Sequence, residues 1–349
     1  MLEQIIARIQ DLDQEALAAA KARQKTLTKP PGSLGRLEEL SIQLAGVSGK
    51  PIPSIKDKVI ITMAGDHGVV AEGVSAYPQE VTPQMVLNFL YGGAAINVLS
   101  RHVGARIVVV DMGIAADLEP HPSLLIKKVA HGTANMAQGP AMTCQGAEKA
   151  ILSGIEIVSA EIEKGLDIVG TGDMGIGNTT PSAAIAAALT GEAPAKIAGR
   201  GTGVNDDGLK RKIDAIERAL AVNKPNPKDG LDILAKVGGF EIGGLAGVML
   251  GAAANRKAIM VDGFISTAAA MIAVTIAPKV KPYLIAAHRS QEYGHGLMLE
   301  WLDLKPLLDF DLRLGEGTGA ALGISMAEAA CKILAEMATF AEAGVSGKE

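Results

Sequence analysis

Aromatic residues are scarce in this chain: 3% of its 349 residues are Phe, Tyr or Trp, whereas 48% are hydrophobic. The core must therefore be aliphatic, built from Ala, Val, Ile, Leu and Met. So few rings also argue against a platform on which the bases of single-stranded nucleic acid stack. The length predicts one large domain, or a large domain with a smaller partner.

Charge is also sparse, since the net charge is −5 and no block of like charges occurs. A mildly acidic surface repels phosphate backbones, so we expect no nucleic acid partner. The longest apolar stretch, residues 266–278, is roughly 13 residues long, whereas a span of the bilayer needs about 20. This stretch predicts a core helix and no association with a membrane.

Cysteine is limited to Cys144 and Cys331, and neither belongs to a CxxC pair. This pattern is typical of a reducing compartment and predicts no disulfide framework. The N-terminus lacks the basic start and apolar run of a secretion signal. Together these features predict a cytoplasmic protein.

Six short aliphatic runs are each followed by glycine and polar residues. They span residues 58–65, 106–113, 166–172, 257–263, 282–288 and 311–315. Near-continuous apolar runs indicate strands that are buried on both faces. Because Ala-rich helical patterns separate them, we predict an α/β fold with a parallel, Rossmann-like sheet of about six strands and flanking helices.

Both ends of the chain carry helical patterns. We predict that residues 1–50 and 319–349 pack together as a small helical domain. Residues 51–318 then form the large α/β catalytic domain.

The loops after the six predicted strands carry glycine together with Asp, Glu, Ser or His. They lie at residues 64–68, 111–113, 170–180, 262–263, 288–292 and 315–319. Ligands of open parallel sheets bind beyond the carboxyl ends of the strands. We therefore expect these loops to form one site.

The loop at 170–180 permits three interpretations. Gly170, Gly172 and Gly175 match the GxGxxG spacing of dinucleotide-binding turns. The acid that such turns require at the next strand end is not evident. The loop could instead be a tight turn without a ligand, or a phosphate or ribose site formed by backbone N–H groups at the start of a helix.

Two cations are candidates for anion binding. Arg200 lies in the glycine-rich segment 199–203, and Lys212 lies at the border of an apolar helical stripe. An arginine can pair with a phosphate or carboxylate, and a lysine can lay its stem on the core and direct its ammonium into a site. Solvated surface cations are the alternative for both.

Glu316 stands between two glycines before a long apolar helix. It is a candidate general base, and an acid favoured by the helix N-terminus is the alternative. Asp66, His67 and His288 could form a metal site. Ser290 lacks the GxSxG context of a nucleophile, so a loop hydroxyl is the simpler interpretation.

Seven segments together resemble the nicotinate-nucleotide–dimethylbenzimidazole phosphoribosyltransferases of cobalamin synthesis. These are KPPGSLG at 29–35, AGDHGV at 64–69, GIGNTT at 175–180, GRGTG at 199–203, VDG at 261–263, HRS at 288–290 and LGEGTG at 314–319. They occur in order and cover nearly the whole chain. Each segment alone is a weak indicator of the family, whereas the ordered set is highly specific for it.

The resemblance implies a homodimer that transfers the phosphoribosyl group of nicotinate mononucleotide to 5,6-dimethylbenzimidazole or a related base. It implies no cofactor and no metal. Glu316 matches the family's base. Asp173 occupies the second acidic position, where the family usually has glutamate. Because its side chain is shorter, the resemblance supports an assisting role for Asp173 less directly.

The resemblance also implies contacts with both substrates. The residues expected to bind substrate are Gly175, Gly177, Asn178, Thr179, Arg200, Gly201, Lys212, Ser290 and Gly315, with Tyr77, Gln84 and Met85 lining the pocket for the base. Two rival functions remain open at this level: a nicotinamide-dinucleotide enzyme that uses 170–175, and a nucleotide-binding module without turnover.

Overall fold

A computed structural model describes residues 1–346 of the chain, and it places six parallel strands in one sheet. The strands are β1 (Lys58–Gly65), β2 (Arg106–Gly113), β3 (Leu124–Ile126), β4 (Ile168–Met174), β5 (Ala258–Val261) and β6 (Leu284–Ala286). Their order across the sheet is β3-β2-β1-β4-β5-β6. The chain reverses its direction of travel across the sheet between β1 and β4, the point at which doubly wound folds bind their ligands.

The predicted fold class is confirmed, and five of the six predicted runs are strands. The run at 311–315 is not a strand, and that prediction was wrong. Its leucines alternate with charged residues, and Leu314 is 57% exposed. A parallel strand buried on both faces has no room for Asp311 and Arg313.

The sixth strand is instead β3, at the edge of the sheet beside β2. It has three residues, of which Leu125 and Ile126 are exposed. A run this short carries no periodicity that the sequence alone would reveal.

Helices cover both faces of the sheet. They are α1 (Leu2–Ala7), α2 (Gln14–Thr26), α3 (Arg36–Ser48), α4 (Val81–Leu90), α5 (Ala95–Val103), α6 (Cys144–Glu163), α7 (Thr179–Thr190), α8 (Asp206–Asn223), α9 (Gly230–Val237), α10 (Phe240–Ala254), α11 (Phe264–Ile276), α12 (His295–Leu302), α13 (Thr318–Glu336) and α14 (Phe340–Ala343). Ile60 of β1 faces the first turn of α13, whereas Met63 of the same strand reaches Gly244 of α10. Side chains an odd number of residues apart point to opposite faces of a strand, so α13 and α10 lie on opposite sides of the sheet.

On the α10 face, α6 crosses α10 at unusually short range. A Cβ on Gly154 would lie 1.9 Å from the carbonyl oxygen of Gly244, and a Cβ on Gly247 would lie 2.0 Å from that of Ile151. Only glycine permits backbones to approach this closely. The two helices thereby form a thin, wholly aliphatic layer under the strands.

The two ends of the chain contact each other. Ala16, Ala20 and Ala45 form a small cluster with Leu334 of α13. Arg23 donates to the carbonyl oxygen of Leu334 at 2.6 Å. The first half of α13 nevertheless packs on the sheet, so this helix takes part in both regions. The division at residues 50 and 318 stays a prediction.

α13 is long and apolar enough to cross a membrane by length and composition, but 56% of its most apolar window is buried inside the protein. It packs on the sheet at one end and on the N-terminal helices at the other. It is therefore accounted for as a core helix.

Candidate active site

The loops at the carboxyl ends of the strands surround a cavity of about 410 Å³. Its walls come from the segments after β1, β4, β5 and β6 and from the turn before α13. The lining residues are Tyr77, Val81, Met85, Asp173, Met174, Gly175, Ile176, Asn178, Thr179, Gly201, Thr202, Gly263, Phe264, Ile265, His288, Ser290, Glu292, Arg313, Leu314, Gly315 and Glu316. A concave, largely apolar site with a few convergent polar groups is the form expected for a small-molecule ligand.

Glu316 lies against one face of the paired strands β1 and β4. Its carbonyl oxygen accepts from Thr62 Oγ1 at 2.9 Å, and its N–H donates to the carbonyl oxygen of Asp173 at 3.1 Å. A Cβ on Gly172 would lie 2.2 Å from the carbonyl oxygen of Glu316, so a side chain there would displace the turn. The backbone of Glu316 is thus held by both central strands.

This clamp holds Glu316 in a left-handed conformation with φ 63°. Such a conformation costs a residue with a side chain on the order of 1 kcal/mol, and it persists only where the surroundings enforce it. Strain of this kind is a feature of functional positions. Here it directs a carboxylate into the cavity instead of letting it join the helix that follows.

The carboxylate of Glu316 is only 4% exposed, and its Oε2 accepts from the N–H of Ile96 at 3.2 Å. Ile96 lies in the first turn of α5, where unpaired N–H groups favour a negative charge. Burial nevertheless raises the pKa of Glu316 above its usual range, against the lowering by this hydrogen bond. A buried carboxylate with raised proton affinity is suited to accept a proton.

Asp262, at the end of β5, secures the turn that carries Glu316. Its carboxylate accepts from Ala320 N–H at 2.9 Å and from Gly317 N–H at 3.2 Å. The helix α13 has no side-chain cap of its own, so Asp262 supplies the cap from another strand. Burial raises the pKa of Asp262 to about 7 in spite of these backbone donors.

Asp173 lines the cavity beside this turn. Its Oδ2 accepts from Asn178 Nδ2 at 3.1 Å, and among residues 1–346 its Oδ1 has no hydrogen-bond partner. Burial first, and then the charges of Asp262, Glu241 and Glu316, hold the pKa of Asp173 well above its usual range. A second carboxyl group therefore faces the cavity close to Glu316 and without a neutralising cation.

Behind Thr179, Lys212 of α8 places a buried cation one layer from the cavity wall, next to the buried carboxyl group of Glu292. Lys212 is 1% exposed, and its Nζ donates to Thr179 Oγ1 at 2.9 Å and to the carbonyl oxygen of Gly199 at 3.1 Å. Burial lowers its pKa to about 8. The nearby helix α7 begins at Thr179. Thr180 N–H already donates to the carbonyl oxygen of Gly177 and Pro181 has no N–H, so Thr179 supplies the N–H group at this helix start. The arrangement suits an anion.

The other predicted site residues are placed as follows. Gly175, Asn178, Thr179, Gly201, Ser290, Gly315, Tyr77 and Met85 line the cavity together with both predicted acids. Lys212 lies behind Thr179 and Gly201, one layer from the cavity surface.

Three predicted residues lie away from the cavity wall. Gly177, with φ 86°, backs onto Val70 and completes the turn. Arg200 points outward, donates to the carbonyl oxygen of Val204 and pairs with Asp206. Gln84 lies on the exposed side of α4.

The GxGxxG match has a structural explanation that involves no dinucleotide. Gly170 and Gly172 lie inside β4, where a Cβ on Gly170 would meet Ala320 and a Cβ on Gly172 would meet the backbone of Glu316. Both glycines make room for the start of α13. Only Gly175 lies in a loop that lines the cavity.

Sequence reasoning missed several residues of the site. Glu292 and Arg313 line the cavity, as do Phe264 and Ile265 at the start of α11. Glu292 lies in the loop 288–292 that the sequence indicates as a strand end, whereas Arg313 lies in the run 311–315 that was predicted as a strand. The first turn of α11 follows the Asp262-Gly263 strand end, but its apolar sequence gave no sign of contact with a ligand.

Among the described residues, no group of three or more His, Cys, Asp or Glu side chains could hold a metal ion. Two of the histidines weighed for such a site have carboxylate neighbours. His67 Nε2 lies 2.8 Å from Glu241 Oε1 in a fully buried pair, and His288 Nδ1 lies 3.9 Å from Asp262 Oδ1. The pair with Glu241 lies directly beneath the turn at Gly175.

A doubly wound sheet whose strand ends surround a cavity with buried carboxyl groups and a nearby buried lysine is the architecture of an α/β enzyme for a small molecule. The sequence model of a phosphoribosyltransferase family matches residues 9–345 of the chain. The chain belongs to this phosphoribosyltransferase family, so the predicted resemblance and enzyme class are confirmed.

Individual relatives agree with this assignment. The nicotinate-nucleotide–dimethylbenzimidazole phosphoribosyltransferase of Roseiflexus sp. strain RS-1 is 62% identical over 348 residues, which are 100% of this chain and 99% of the relative. The protein of that name from Dehalococcoides mccartyi is 56% identical over 349 residues, again 100% of this chain and 99% of the relative. The crystal structure of CobT from Thermus thermophilus superposes with a TM-score of 0.93 at 50% identity and covers 96% of this chain and 100% of that chain.

Proposed function

We propose that this enzyme transfers the phosphoribosyl group of nicotinate mononucleotide to 5,6-dimethylbenzimidazole. The products are α-ribazole 5′-phosphate and nicotinate, and the reaction serves the assembly of the lower ligand of cobalamin. The observation that carries the proposal is the buried carboxylate of Glu316, which faces the cavity from a strained turn. The names of relatives that match the whole chain support the choice of substrates.

The donor fits the cavity with its phosphate at the end near Lys212. The N–H groups of Gly175 and Thr179, the hydroxyl of Ser290 and the ammonium of Lys212 are the groups proposed to hold it. The N–H groups of Ile176 and Asn178 already donate to Thr82 Oγ1 and to the carbonyl oxygen of Gly175. The ribose then lies between this end and the carboxyl group of Asp173.

The acceptor occupies the apolar part of the cavity. Tyr77, Val81 and Met85 line that part, with Ile176 and Leu314 nearby in the same wall. These side chains offer apolar surface to a dimethylated aromatic ring, and Glu316 offers the carboxylate. Gln84 lies outside the cavity wall, so it has no part in the proposed pocket.

In the proposed reaction, one azole nitrogen of the base attacks C1′ of the ribose. The bond from C1′ to the pyridinium nitrogen breaks, and its electron pair stays with the ring, so nicotinate leaves without a general acid. The second azole nitrogen gives its proton to Glu316. A β donor and an α product correspond to inversion at C1′, as in direct displacement.

Asp173 is proposed to stabilise the positive charge that develops on the ribose. A carboxylate does this best when it is preorganised and withdrawn from water. Burial and the neighbouring acids raise the pKa of Asp173, and a positive charge on the donor favours its ionised form.

We further propose that the chain works in the cytoplasm as a homodimer without a cofactor. Exposed apolar side chains on neighbouring turns of α4 and α5 support a contact between subunits. Leu87 is 38% exposed, Tyr91 79% and Val98 53%. An exposed apolar cluster of this kind is typical of an interface.

Replacement of Glu316 by Gln tests the base directly. The amide nitrogen cannot accept the proton, so turnover should fall by a factor of about 100 or more while nicotinate mononucleotide still binds. The wild-type rate should rise with pH through the raised pKa of Glu316 and then level off. The measurement is chromatographic detection of α-ribazole 5′-phosphate as a function of pH.

Near wild-type turnover by the Gln variant would show that another group takes the proton. Failure of wild-type protein to form the product, with saturable binding of NAD, would favour a dinucleotide enzyme. Tight binding of nicotinate mononucleotide without turnover under any condition would favour a binding module.

The buried lysine behind Thr179 gives a second prediction. Lys212→Met keeps the buried stem and removes the charge, so the KM for nicotinate mononucleotide should rise about tenfold or more, with little change for the base. Since Lys212 has a pKa of about 8, donor affinity in the wild type should weaken as pH rises above that value. Lys210→Met, on the exposed side of the same helix, is the matched control. Equal weakening of donor and acceptor would place the phosphate elsewhere.

The homodimer predicts a solution mass of twice the 35.9 kDa chain. Val98→Glu should shift the protein toward the monomer, because a charge in an apolar contact is costly. Val222→Glu, at a side chain that is 56% exposed on α8, is the matched control. Light scattering after size exclusion measures both. A monomeric wild type would refute the dimer, and an unaffected Val98→Glu dimer would refute this contact.

A further inference from the structure

The loops that follow β5 and β6 are joined through a buried imidazole behind the cavity wall. His295, the first residue of α12, is completely buried, and its Nδ1 accepts from the N–H of Ser290 at 2.8 Å. Its Nε2 lies 2.9 Å from Oγ1 of Thr267 on α11. Thr267 Oγ1 in turn donates to the carbonyl oxygen of Gly263 at 2.8 Å. A continuous chain of hydrogen bonds therefore runs from Ser290 to Gly263.

The direction of every bond in this chain is determined. An N–H group that points at Nδ1 requires a lone pair there, so the ring proton of His295 is on Nε2. Nε2–H then donates to Thr267, whose own hydroxyl proton is engaged by Gly263. Burial, followed by the charges of His288 and Arg289, lowers the pKa of His295 to about 3. The ring is neutral and holds one tautomer at physiological pH.

Ser290 is the member of this chain that reaches the cavity. Its side chain lines the wall, and its Oγ accepts from Glu292 N–H at 3.2 Å. The hydroxyl proton of Ser290 takes no part in that bond. The peptide N–H at its base is held by His295, while neither His295 nor Thr267 belongs to the cavity lining.

We propose that His295 is a positioning residue for the phosphate of the donor, acting through Ser290 and held in place by Thr267. The inference rests on the proposed function, in which Ser290 contacts that phosphate. His295 fixes where the Ser290 hydroxyl stands, and Thr267 fixes the tautomer that makes this possible. The chain also sets the separation between the Ser290 loop and the end of β5, where Asp262 supports the turn of Glu316.

Thr267 offers the cleaner test, because His295 is too deeply buried to exchange without risk to folding. Thr267→Val removes the hydroxyl at nearly constant volume and leaves Nε2–H without an acceptor. The dissociation constant of nicotinate mononucleotide, measured by calorimetry, should rise about tenfold, whereas that of dimethylbenzimidazole should change less than about twofold. Thr267→Ser keeps the hydroxyl and should restore donor affinity.

A double-mutant cycle tests whether Thr267→Val weakens donor binding through Ser290. Ser290→Ala alone should weaken the donor, and Thr267→Val should add almost nothing in that background. Full additivity of the two changes, or equal weakening of donor and base by Thr267→Val, would overturn the proposal. A loss of affinity that Thr267→Ser fails to restore would overturn it too.

Nitrogen NMR of the histidine rings tests the tautomer of His295 on which the chain of hydrogen bonds depends. One ring should be protonated at Nε2 and should not titrate between about pH 5 and about pH 9. That signal should change in Thr267→Val. Protonation of His295 at Nδ1, or titration in this range, would contradict the assignment.

These measurements separate the two proposals. Wild-type protein that binds the donor but fails to form the α-ribazole product would refute the proposed function and leave the cycle interpretable. Wild-type protein that forms the product but shows an additive cycle would refute only the role of His295. Absence of donor binding would refute both.

Discussion

The site depends on how one turn, Gly315 to Thr318, is fixed against the two central strands of the sheet. Thr62 of β1 and the carbonyl oxygen of Asp173 of β4 hold the peptide groups of Glu316, and Asp262 of β5 caps the helix that follows. Three strands thus hold a residue in a conformation that its side chain disfavours. The hydrogen bonds to these strands offset the cost of that conformation, so the backbone of Glu316 is held in place before any ligand arrives.

Several acids gather around this turn with little compensating charge. Asp173, Asp262 and Glu316 are all nearly inaccessible, and burial raises the pKa of each. Such an arrangement is unfavourable for an empty protein and favourable for a ligand that carries or develops positive charge. A pyridinium nucleotide brings a positive charge at the sugar and a negative one at the phosphate. The second charge is the one proposed to lie near Lys212, the buried cation behind Thr179.

Much of this could be predicted from sequence, because continuous apolar runs and glycine-rich strand ends are local signals. They located the sheet, the edge at which the site forms, and Glu316 between its glycines.

Contacts between distant segments could not be predicted from the sequence. Ile96, whose N–H donates to the carboxylate of Glu316, lies 220 residues from it in the sequence. Asp262 and Ala320, which are also joined by a hydrogen bond, lie 58 residues apart. The glycines of β4 show this as well. Their spacing matches a dinucleotide-binding turn, whereas in the structure they leave room for the start of α13. The run at 311–315 was wrongly predicted as a strand because leucines that alternate with charged residues resemble one. The strand β3 was missed because three residues are too few to show a pattern.

The central claim is that Glu316 takes the proton of the incoming base. A crystal structure of the enzyme with 5,6-dimethylbenzimidazole tests it most directly, through the distance between the Glu316 carboxylate and the nearer azole nitrogen. The account predicts a hydrogen bond of about 2.6 to 3.2 Å, with the other azole nitrogen facing the side of Asp173. A base bound in the cavity with both nitrogens out of reach of Glu316, and that carboxylate still bonded only to Ile96, would contradict it.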